Sequence, residues 1–191
     1  DLNICLDDLA AKITPRTKVV MVVHWGGYTV DLDRLDQILD DAAPQIGFRP
    51  LVIEDCAHAW KSFYRDRLVG NHGNLSVFSF QAIKHLTSGD GGMLGVPNSE
   101  LLRRGKLLRW YGIDRDDPRG DFRCENDVAE WGFKFHMNDI NASIGLANME
   151  FAEQSVVRHR ENAAYFDKAL KDVQGMELLD YQQDRVSSYW L

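Results

Sequence analysis

The chain has 191 residues, of which 45% are hydrophobic and 27% are charged, and its formal net charge is -7. This composition is typical of a globular protein with one domain or slightly more, and the acidic balance argues against binding to nucleic acid or to an anionic membrane. No apolar run reaches the roughly 20 residues of a membrane-spanning helix, so we expect no membrane span, no signal peptide and a cytoplasmic protein.

The three cysteines, Cys5, Cys56 and Cys124, are widely spaced and follow no metal-ligand pattern. They predict free thiols in a reducing compartment and no metal site. Neither end of the chain has the polar character that is typical of a natural terminus. We therefore expect the chain to be a fragment of a longer protein.

The first half of the chain is predicted to contain buried strands. Residues 19–23 form a continuous apolar, β-branched run, the pattern of a strand buried on both faces of a parallel sheet. Further strands are predicted at 51–53, 75–80 and 93–96. With a helix after the first strand, this order predicts an α/β fold with a mainly parallel sheet.

The helix after the first strand has a clear beginning and a predicted end. Asp31 can cap its N-terminus, and Pro44 and Gly47 are expected to break it. Its apolar side chains fall on one face, at Leu32, Leu35, Ile38 and Leu39.

The second half of the chain is predicted to be mainly helical. Ser99 can cap a helix that runs to about residue 111, and residues 112–131 are expected to form a long loop, which in a compact domain is often functional. Two further helices are predicted at 139–153 and 155–172, because apolar residues recur there at helical spacing. Asn138 or Asp139 can cap the first of them.

Three polar residues follow the predicted strands and suggest one kind of chemistry. Lys84 lies in a turn between a strand and a glycine cluster, Asp55 ends the preceding strand, and Ser79 lies near the end of the strand before Lys84. A lysine beside glycines is most often a solvated loop residue. Strand ends of an open parallel sheet nevertheless converge on ligands. Pyridoxal phosphate requires a lysine for its Schiff base, a carboxylate at its pyridine nitrogen and polar groups around its phosphate.

Other polar residues near the predicted strand ends leave alternatives open. His24 and Trp25 follow the first strand, and a substrate-side role and simple packing are equally compatible with their position. His58 could be a hydrogen-bonded core histidine rather than a cofactor contact. Cys56 is small, lies beside Asp55 and is expected to be buried, with no role as a nucleophile.

Motifs spread along nearly the whole chain carry a family resemblance. Around the candidate residues they are IEDCAHA at 53–59, FSF at 78–80 followed by Lys84, and LTSGDGG at 86–92. Further matching runs lie at 109–112, 132–140, 142–146 and 187–189. In these motifs and in their order the chain resembles the nucleotide-sugar aminotransferases of the DegT/StrS type, which are fold-type I pyridoxal-phosphate enzymes.

The resemblance implies a role for each of five residues. Lys84 would form the Schiff base with the cofactor and then transfer the proton between cofactor and substrate, for which its amine must become neutral. Asp55 would pair with the pyridinium nitrogen, His58 would lie by the ring or its phenolic oxygen, and Ser79 would bind the phosphate. Lys134 lies where many members have an asparagine that reaches the phosphate of the neighbouring subunit.

The resemblance also implies the architecture and the partners. Residues 1–152 would be part of the pyridoxal-phosphate-binding large domain of the type I fold, and 153–191 a linking helix and the start of the small domain. The intact protein would be a homodimer that transfers an amino group, usually from glutamate, to a keto sugar of a nucleotide-sugar in deoxyamino-sugar biosynthesis.

Two other functions remain as alternatives. A related sugar dehydratase uses the amine form of the cofactor and has histidine in place of the Schiff-base lysine; Lys84 favours the aminotransferase. The chain could also be a truncated, non-catalytic relative, although it retains Asp55, Ser79 and Lys84. Since family members are substantially longer, we expect the isolated fragment to bind cofactor weakly and to be inactive.

Overall fold

The computed structural model describes residues 2–117, 128 and 130–191. Cys124 and much of the predicted loop at 112–131 lie outside these residues. The helices and strands are α1 (Leu6–Lys12), β1 (Val19–Val23), α2 (Leu32–Ile46), β2 (Leu51–Asp55), β3 (Phe63–Tyr64), β4 (Arg67–Leu68), β5 (Leu75–Ser79), β6 (Gly92–Gly95), α3 (Ser99–Leu108), α4 (Asp139–Leu170) and β7 (Arg185–Val186). No helix in the described ranges has both the length and the hydropathy that a membrane span requires.

The main sheet has four strands in the order β1-β2-β5-β6. The pairs β1–β2 and β2–β5 are parallel, whereas β6 runs antiparallel to β5. This sheet confirms the predicted α/β class with a mainly parallel sheet. A second, small antiparallel sheet has the order β4-β3-β7 and joins the C-terminal part of the chain to the middle of the sequence.

Helix α2 covers one face of the sheet and forms the main core with it. Asp31 caps the helix by accepting a hydrogen bond from the Arg34 N–H at 2.9 Å, and Gly47 ends it with a φ of 86°. Pro44 was expected to break the helix but lies inside it. Its missing N–H removes only one hydrogen bond near the C-terminal end, which the helix tolerates. The core combines both elements, at Val20, Val22, Val52, Leu32, Leu35 and Leu39.

The other face of the sheet is open, which corrects the prediction that β1 is buried on both faces. Val19 and Met21 are 45% and 58% exposed, and Leu51 in β2 is 59% exposed. Val77 in β5 and its partner Leu94 in β6 are exposed as well. The apolar run of β1 therefore has alternating burial, because within the described residues a helix packs on one face of the sheet and the other face is exposed.

The helical half of the chain differs from the prediction in two ways. Asn98, not Ser99, caps α3 by accepting from the Leu101 N–H at 2.9 Å, and the helix ends at Leu108. The two helices predicted at 139–153 and 155–172 are a single helix, α4, of 32 residues. No glycine or proline lies in the segment where a break was expected, so the helix continues.

Helix α4 begins at the predicted cap and crosses the proposed domain boundary. Asn138 accepts a hydrogen bond from the Asn141 N–H at 2.9 Å, which makes it the capping residue. The division into residues 1–152 and 153–191 falls within this continuous helix and stays a prediction.

Candidate functional site

Asp55 ends the central strand β2, between β1 and β5. Its carbonyl oxygen accepts from the His24 N–H at 3.1 Å, and its Oδ1 accepts from the Ala57 N–H at 3.0 Å. The register pairs Asp55 with Val23 on one side and Val77 on the other, and both valines are exposed on the open face. The carboxylate therefore stands at the edge of the open face, half-buried, with acceptor capacity left for a ligand.

Lys84 lies in the loop that follows β5. The loop is closed by hydrogen bonds from the Phe80 N–H to the Gly91 oxygen (2.8 Å) and from the Ser88 N–H to the Phe80 oxygen (2.9 Å). Within it, the Lys84 N–H donates to the Gln81 oxygen at 3.0 Å. These contacts form a tight turn that presents the lysine beyond the carboxyl end of the sheet, where parallel strands bind ligands.

Helix α4 holds this lysine loop in place. The Asn141 side-chain amide donates to the Ser88 and Asp90 oxygens at 3.0 and 2.9 Å, and the Asn148 amide donates to the Thr87 oxygen at 3.0 Å. Gly145 allows the close approach, because a Cβ there would lie 3.3 Å from the Ser88 Cβ. The side-chain amides of Asn141 and Asn148, on one face of α4, thus position the loop. The sequence analysis did not predict these contacts.

Electrostatic interactions join Lys84, Asp55 and His58 into one group. Partial burial lowers the pKa of Lys84, and the Asp55 carboxylate opposes this shift. Burial also lowers the pKa of His58, with a further contribution from the Lys84 charge, while Asp55 again acts in the opposite direction. The structure therefore brings these three predicted residues together, and it favours a neutral imidazole and a more easily deprotonated lysine.

Ser79 is the last residue of β5 and lies near the same edge. It is half-buried, and its Oγ accepts a hydrogen bond from the Gln81 N–H at 3.3 Å. An Oγ that accepts from the backbone keeps its own hydrogen for another acceptor, such as a phosphate oxygen.

Lys134 lies apart from these four residues. It pairs through its backbone with Trp110 in an isolated bridge, and it is exposed. Its neighbours Phe133 and Phe135 are stacked on each other with ring centroids 4.7 Å apart. Among the described residues, no hydrogen bond, ion pair or ring contact joins Lys134 to Asp55, His58, Ser79 or Lys84. Its contact with a phosphate stays a prediction.

Trp190 is a site residue that the sequence did not reveal. Its ring stacks on His58, with centroids 3.9 Å apart and an interplanar angle of 13°, and the Lys84 Nζ lies 3.8 Å from its ring centroid. Trp25 also contacts His58, in an edge arrangement with ring centroids 5.1 Å apart. The His58 Nδ1 accepts from the Gly26 N–H at 3.3 Å, so the imidazole is oriented by both rings and by backbone.

His24 has a structural position rather than a place facing a ligand. It is fully buried, its Nε2 lies 2.9 Å from the Glu54 Oε2, and its Nδ1 accepts from the Val30 N–H at 3.1 Å. Because Nδ1 is the acceptor, Nε2 carries the hydrogen and donates to Glu54. The other Glu54 oxygen accepts from the Asn74 amide at 2.8 Å.

The same residues form a cluster with ligand-type atoms, His24, Glu54 and Cys56, which lie within 4.8 Å of one another. Both imidazole nitrogens already take part in hydrogen bonds. Burial, together with the nearby carboxylates, raises the pKa of the Cys56 thiol and keeps it protonated, whereas a metal ligand would be a thiolate. This cluster is therefore interpreted as packing beneath the sheet edge.

The residues at the sheet edge fit pyridoxal phosphate chemically. They offer an amine of lowered pKa for a carbonyl carbon, a carboxylate with free acceptor capacity for a protonated ring nitrogen, and a hydroxyl for a phosphate oxygen. They lie on the ends of neighbouring strands and on the open side of the sheet. This set is the one that the cofactor's chemistry requires.

Comparison with known proteins gives the family. The model of the DegT/DnrJ/EryC1/StrS aminotransferase family matches residues 1–191, the whole chain. The chain belongs to the DegT/DnrJ/EryC1/StrS aminotransferase family. This confirms the resemblance found in the motifs, and the cofactor of this family is pyridoxal phosphate.

Solved structures and curated relatives agree with this assignment. The chain is similar to AtS13 from Actinomadura melliaura, with 57% identity and a TM-score of 0.94, over 99% of this chain and 50% of that chain. The sugar aminotransferase CalS13 from Micromonospora echinospora is 48% identical with a TM-score of 0.91, over 99% of this chain and 51% of that one. The spore coat polysaccharide biosynthesis protein SpsC of Bacillus subtilis (strain 168) is 33% identical over 92% of this chain and 44% of its own length.

These coverages also show how much of a family member is present. The chain spans about half the length of the two solved structures and 44% of SpsC. The fold agrees with about half of a sugar aminotransferase of the DegT/DnrJ/EryC1/StrS family, and it contains the predicted lysine and carboxylate.

Proposed function

We propose that this chain is the part of a pyridoxal-phosphate-dependent aminotransferase that carries the Schiff-base lysine, and that the intact enzyme aminates a keto sugar of a nucleotide-sugar. The observation that supports this most directly is the electrostatic group formed by Lys84, Asp55 and His58 at the sheet edge. Family membership and the similarity to CalS13, a sugar aminotransferase, support the reaction class.

The geometry suggests how each residue would act. Pyridoxal phosphate, when bound, supplies a carbonyl for a covalent bond to an amine and a ring that accepts electrons from the reacting carbon. Lys84 would form that bond and, once displaced by the amino donor, move the proton between donor carbon and cofactor as a neutral amine. Its lowered pKa favours this neutral form.

Asp55 and Ser79 would hold the cofactor from two sides. The carboxylate of Asp55 would keep the ring nitrogen protonated, and the Ser79 hydroxyl would donate to a phosphate oxygen. The neutral imidazole of His58, oriented by Trp25 and Trp190, would lie against the ring or its phenolic oxygen.

Family membership supports a proposal for the substrates and the assembly. Glutamate would be the amino donor, and a keto sugar linked to a nucleotide the acceptor, in deoxyamino-sugar biosynthesis for a surface polysaccharide or a secondary metabolite. The polysaccharide role of SpsC supports this range. The intact protein would act as a homodimer, in which the exposed Lys134 contacts the phosphate bound by the neighbouring subunit.

The decisive experiment identifies the lysine that forms the Schiff base. The intact polypeptide that contains these residues is incubated with pyridoxal phosphate, reduced with borohydride and digested, and the labelled peptide is mapped by mass spectrometry. We expect the label on Lys84 and none in Lys84→Ala. A matched control is Lys61→Ala, because the Lys61 ammonium pairs with Glu153 at 3.6 Å and should leave the label in place. Label on another lysine would refute the assignment.

The reaction is tested with the same protein. We expect glutamate to convert the bound cofactor to its amine form with release of 2-oxoglutarate, and a nucleotide-linked keto sugar to restore the aldehyde form. Removal of a sugar hydroxyl without a new amine would identify a dehydratase instead, and no cofactor binding would identify a non-catalytic relative. The 191-residue chain alone is expected to bind cofactor weakly and not to turn over.

A further inference from the structure

Trp190 joins the loops that follow three neighbouring parallel strands. Its backbone N–H donates to the Gly26 oxygen after β1 at 2.9 Å, and its ring stacks on His58 after β2. Its indole Nε1–H donates to the Ile83 oxygen after β5 at 3.1 Å. One residue, through its backbone and its side chain, thus links all three strand ends, which are the elements that carry the predicted site.

The segment before Trp190 is held by buried polar contacts. The Ser188 N–H donates to the Ser62 Oγ at 3.0 Å, and the Ser188 Oγ donates to the His58 oxygen at 2.8 Å. The Arg160 Nε donates to the Ser187 oxygen at 2.8 Å. Ser188 is fully buried, so the backbone that carries Trp190 has a defined place beside the strand ends.

The contact between Trp190 and Lys84 favours one protonation state of the lysine. A nitrogen 3.8 Å from the ring centroid lies in the range of cation–π attraction, which acts on an ammonium and not on a neutral amine. The ring therefore stabilises the protonated form of Lys84, as Asp55 does, whereas burial favours the neutral form and lowers the pKa. Trp190 and burial act on the same amine in opposite directions.

We propose that Trp190 is a positioning residue of the lysine site, whose indole face holds the free Lys84 ammonium and fixes the His58 imidazole beside it. When Lys84 is not bonded to a carbonyl, its ammonium rests on Trp190. To form that bond the ammonium would give a proton to solvent, the neutral amine would add to the carbonyl carbon and the carbonyl oxygen would leave as water, so the free ammonium that the ring attracts is consumed. The role for the cofactor rests on the proposed function, whereas the ring contact with the ammonium does not.

The test measures the protonation of Lys84 in the cofactor-free intact protein. Competitive acetylation with acetic anhydride at a series of pH values, with the Lys84 peptide quantified by mass spectrometry, gives the pH at which half of this amine is deprotonated. In Trp190→Leu this midpoint should fall by about half a pH unit. Leucine keeps an apolar group at the position, so Lys84 stays partly buried while the ring face is lost. A midpoint equal to that of the wild type, or higher, overturns the proposal.

Two further variants separate this role from a general structural one. Trp190→Phe keeps a ring but has a weaker π face and no indole N–H, so its midpoint should fall by less than in Trp190→Leu. If the leucine variant does not fold, the phenylalanine variant decides, and an unshifted midpoint contradicts the proposal. Trp25→Leu is the matched control, because Trp25 packs on His58 and, within the described residues, has no ring contact with Lys84. Its midpoint should equal that of the wild type; a fall as large as in Trp190→Leu would refute the assignment to Trp190.

This readout is independent of the proposed function. Acetylation needs neither the cofactor nor a sugar, so a borohydride label on another lysine would contradict the Schiff-base role of Lys84 without changing the expected midpoints. Conversely, an unshifted midpoint together with a label on Lys84 would leave the aminotransferase proposal standing and refute the role of Trp190.

Discussion

The two faces of the four-stranded sheet differ in what covers them and in what their polar residues do. On the face under α2, Val20, Val22 and Val52 are buried. The charged residue among them, Glu54, is also fully buried, and its two carboxylate oxygens accept hydrogen bonds from His24 and Asn74. On the open face, the apolar side chains are exposed, and Asp55 stands at the edge with acceptor capacity left.

Glu54 and Asp55 make the contrast within two consecutive residues. Since successive side chains of a strand point to opposite faces, one carboxylate enters the core and the other the candidate site. The first has both oxygens in side-chain hydrogen bonds, from His24 and Asn74. The Asp55 carboxylate accepts one hydrogen bond within the described residues, from the Ala57 backbone N–H. In this sheet the face therefore separates Glu54, whose carboxylate is part of the core, from the candidate site residue Asp55.

The largest expected effect comes from removing the buried carboxylate. Glu54→Ala should lower the free energy of unfolding by about 3 kcal/mol or more, because it leaves the His24 N–H and the Asn74 amide buried without their acceptor. Asp55→Ala is the matched control and should cost about 1 kcal/mol, the contribution of one backbone hydrogen bond. Urea unfolding of both variants of the 191-residue chain measures the difference, and equal costs would remove the distinction between the faces.

A smaller loss of stability is expected when one valine on each face of the sheet is replaced by alanine. Val22 is 1% exposed and Val23 is 37% exposed, although they are neighbours in β1. In the 191-residue chain, Val22→Ala should lower the free energy of unfolding by about 2 kcal/mol, whereas Val23→Ala should lower it by less than about 0.5 kcal/mol. A large cost for Val23→Ala in urea unfolding would mean that the open face is packed in solution.

Local sequence patterns predicted the strand ends and therefore the central residues of the site. The apolar runs place Asp55 at the end of β2 and Lys84 beyond the end of β5, and parallel pairing brings those ends together. The same patterns could not show which face of β1 is covered, because a continuous apolar run carries no periodicity to distinguish the two sides.

Contacts between distant parts of the chain account for what the sequence did not reveal. Trp190 reaches the lysine loop across 107 residues, and Asn141 reaches it across more than 50. No local pattern marks such a contact. The predicted break of α4 near residue 154 was wrong for a local reason. The helical spacing on both sides was correct, but no residue in between ends a helix.

The smallest expected effect is a loss of stability at acid pH, and it depends on Glu54 on the covered face. Burial raises the pKa of Glu54, but the hydrogen bonds from His24 and Asn74 outweigh it, so the net pKa is lowered. A carboxyl group with a lowered pKa stabilises the folded state above its unfolded pKa of about 4.3, and this contribution is lost as the pH falls through the folded value.

Urea unfolding of the wild type and of Glu54→Gln between pH 3 and 7 should show this difference. Below a pH of about 4.3 the wild type should lose stability more steeply than the variant, by at most about 1.4 kcal/mol per pH unit. Asn74→Ala removes one of the hydrogen bonds that lower the pKa of Glu54, so its loss of stability in acid should be smaller than in the wild type and should end at a higher pH. Parallel profiles for wild type and Glu54→Gln would show that Glu54 has the same pKa folded and unfolded, and that the covered face does not hold the carboxylate in its charged form.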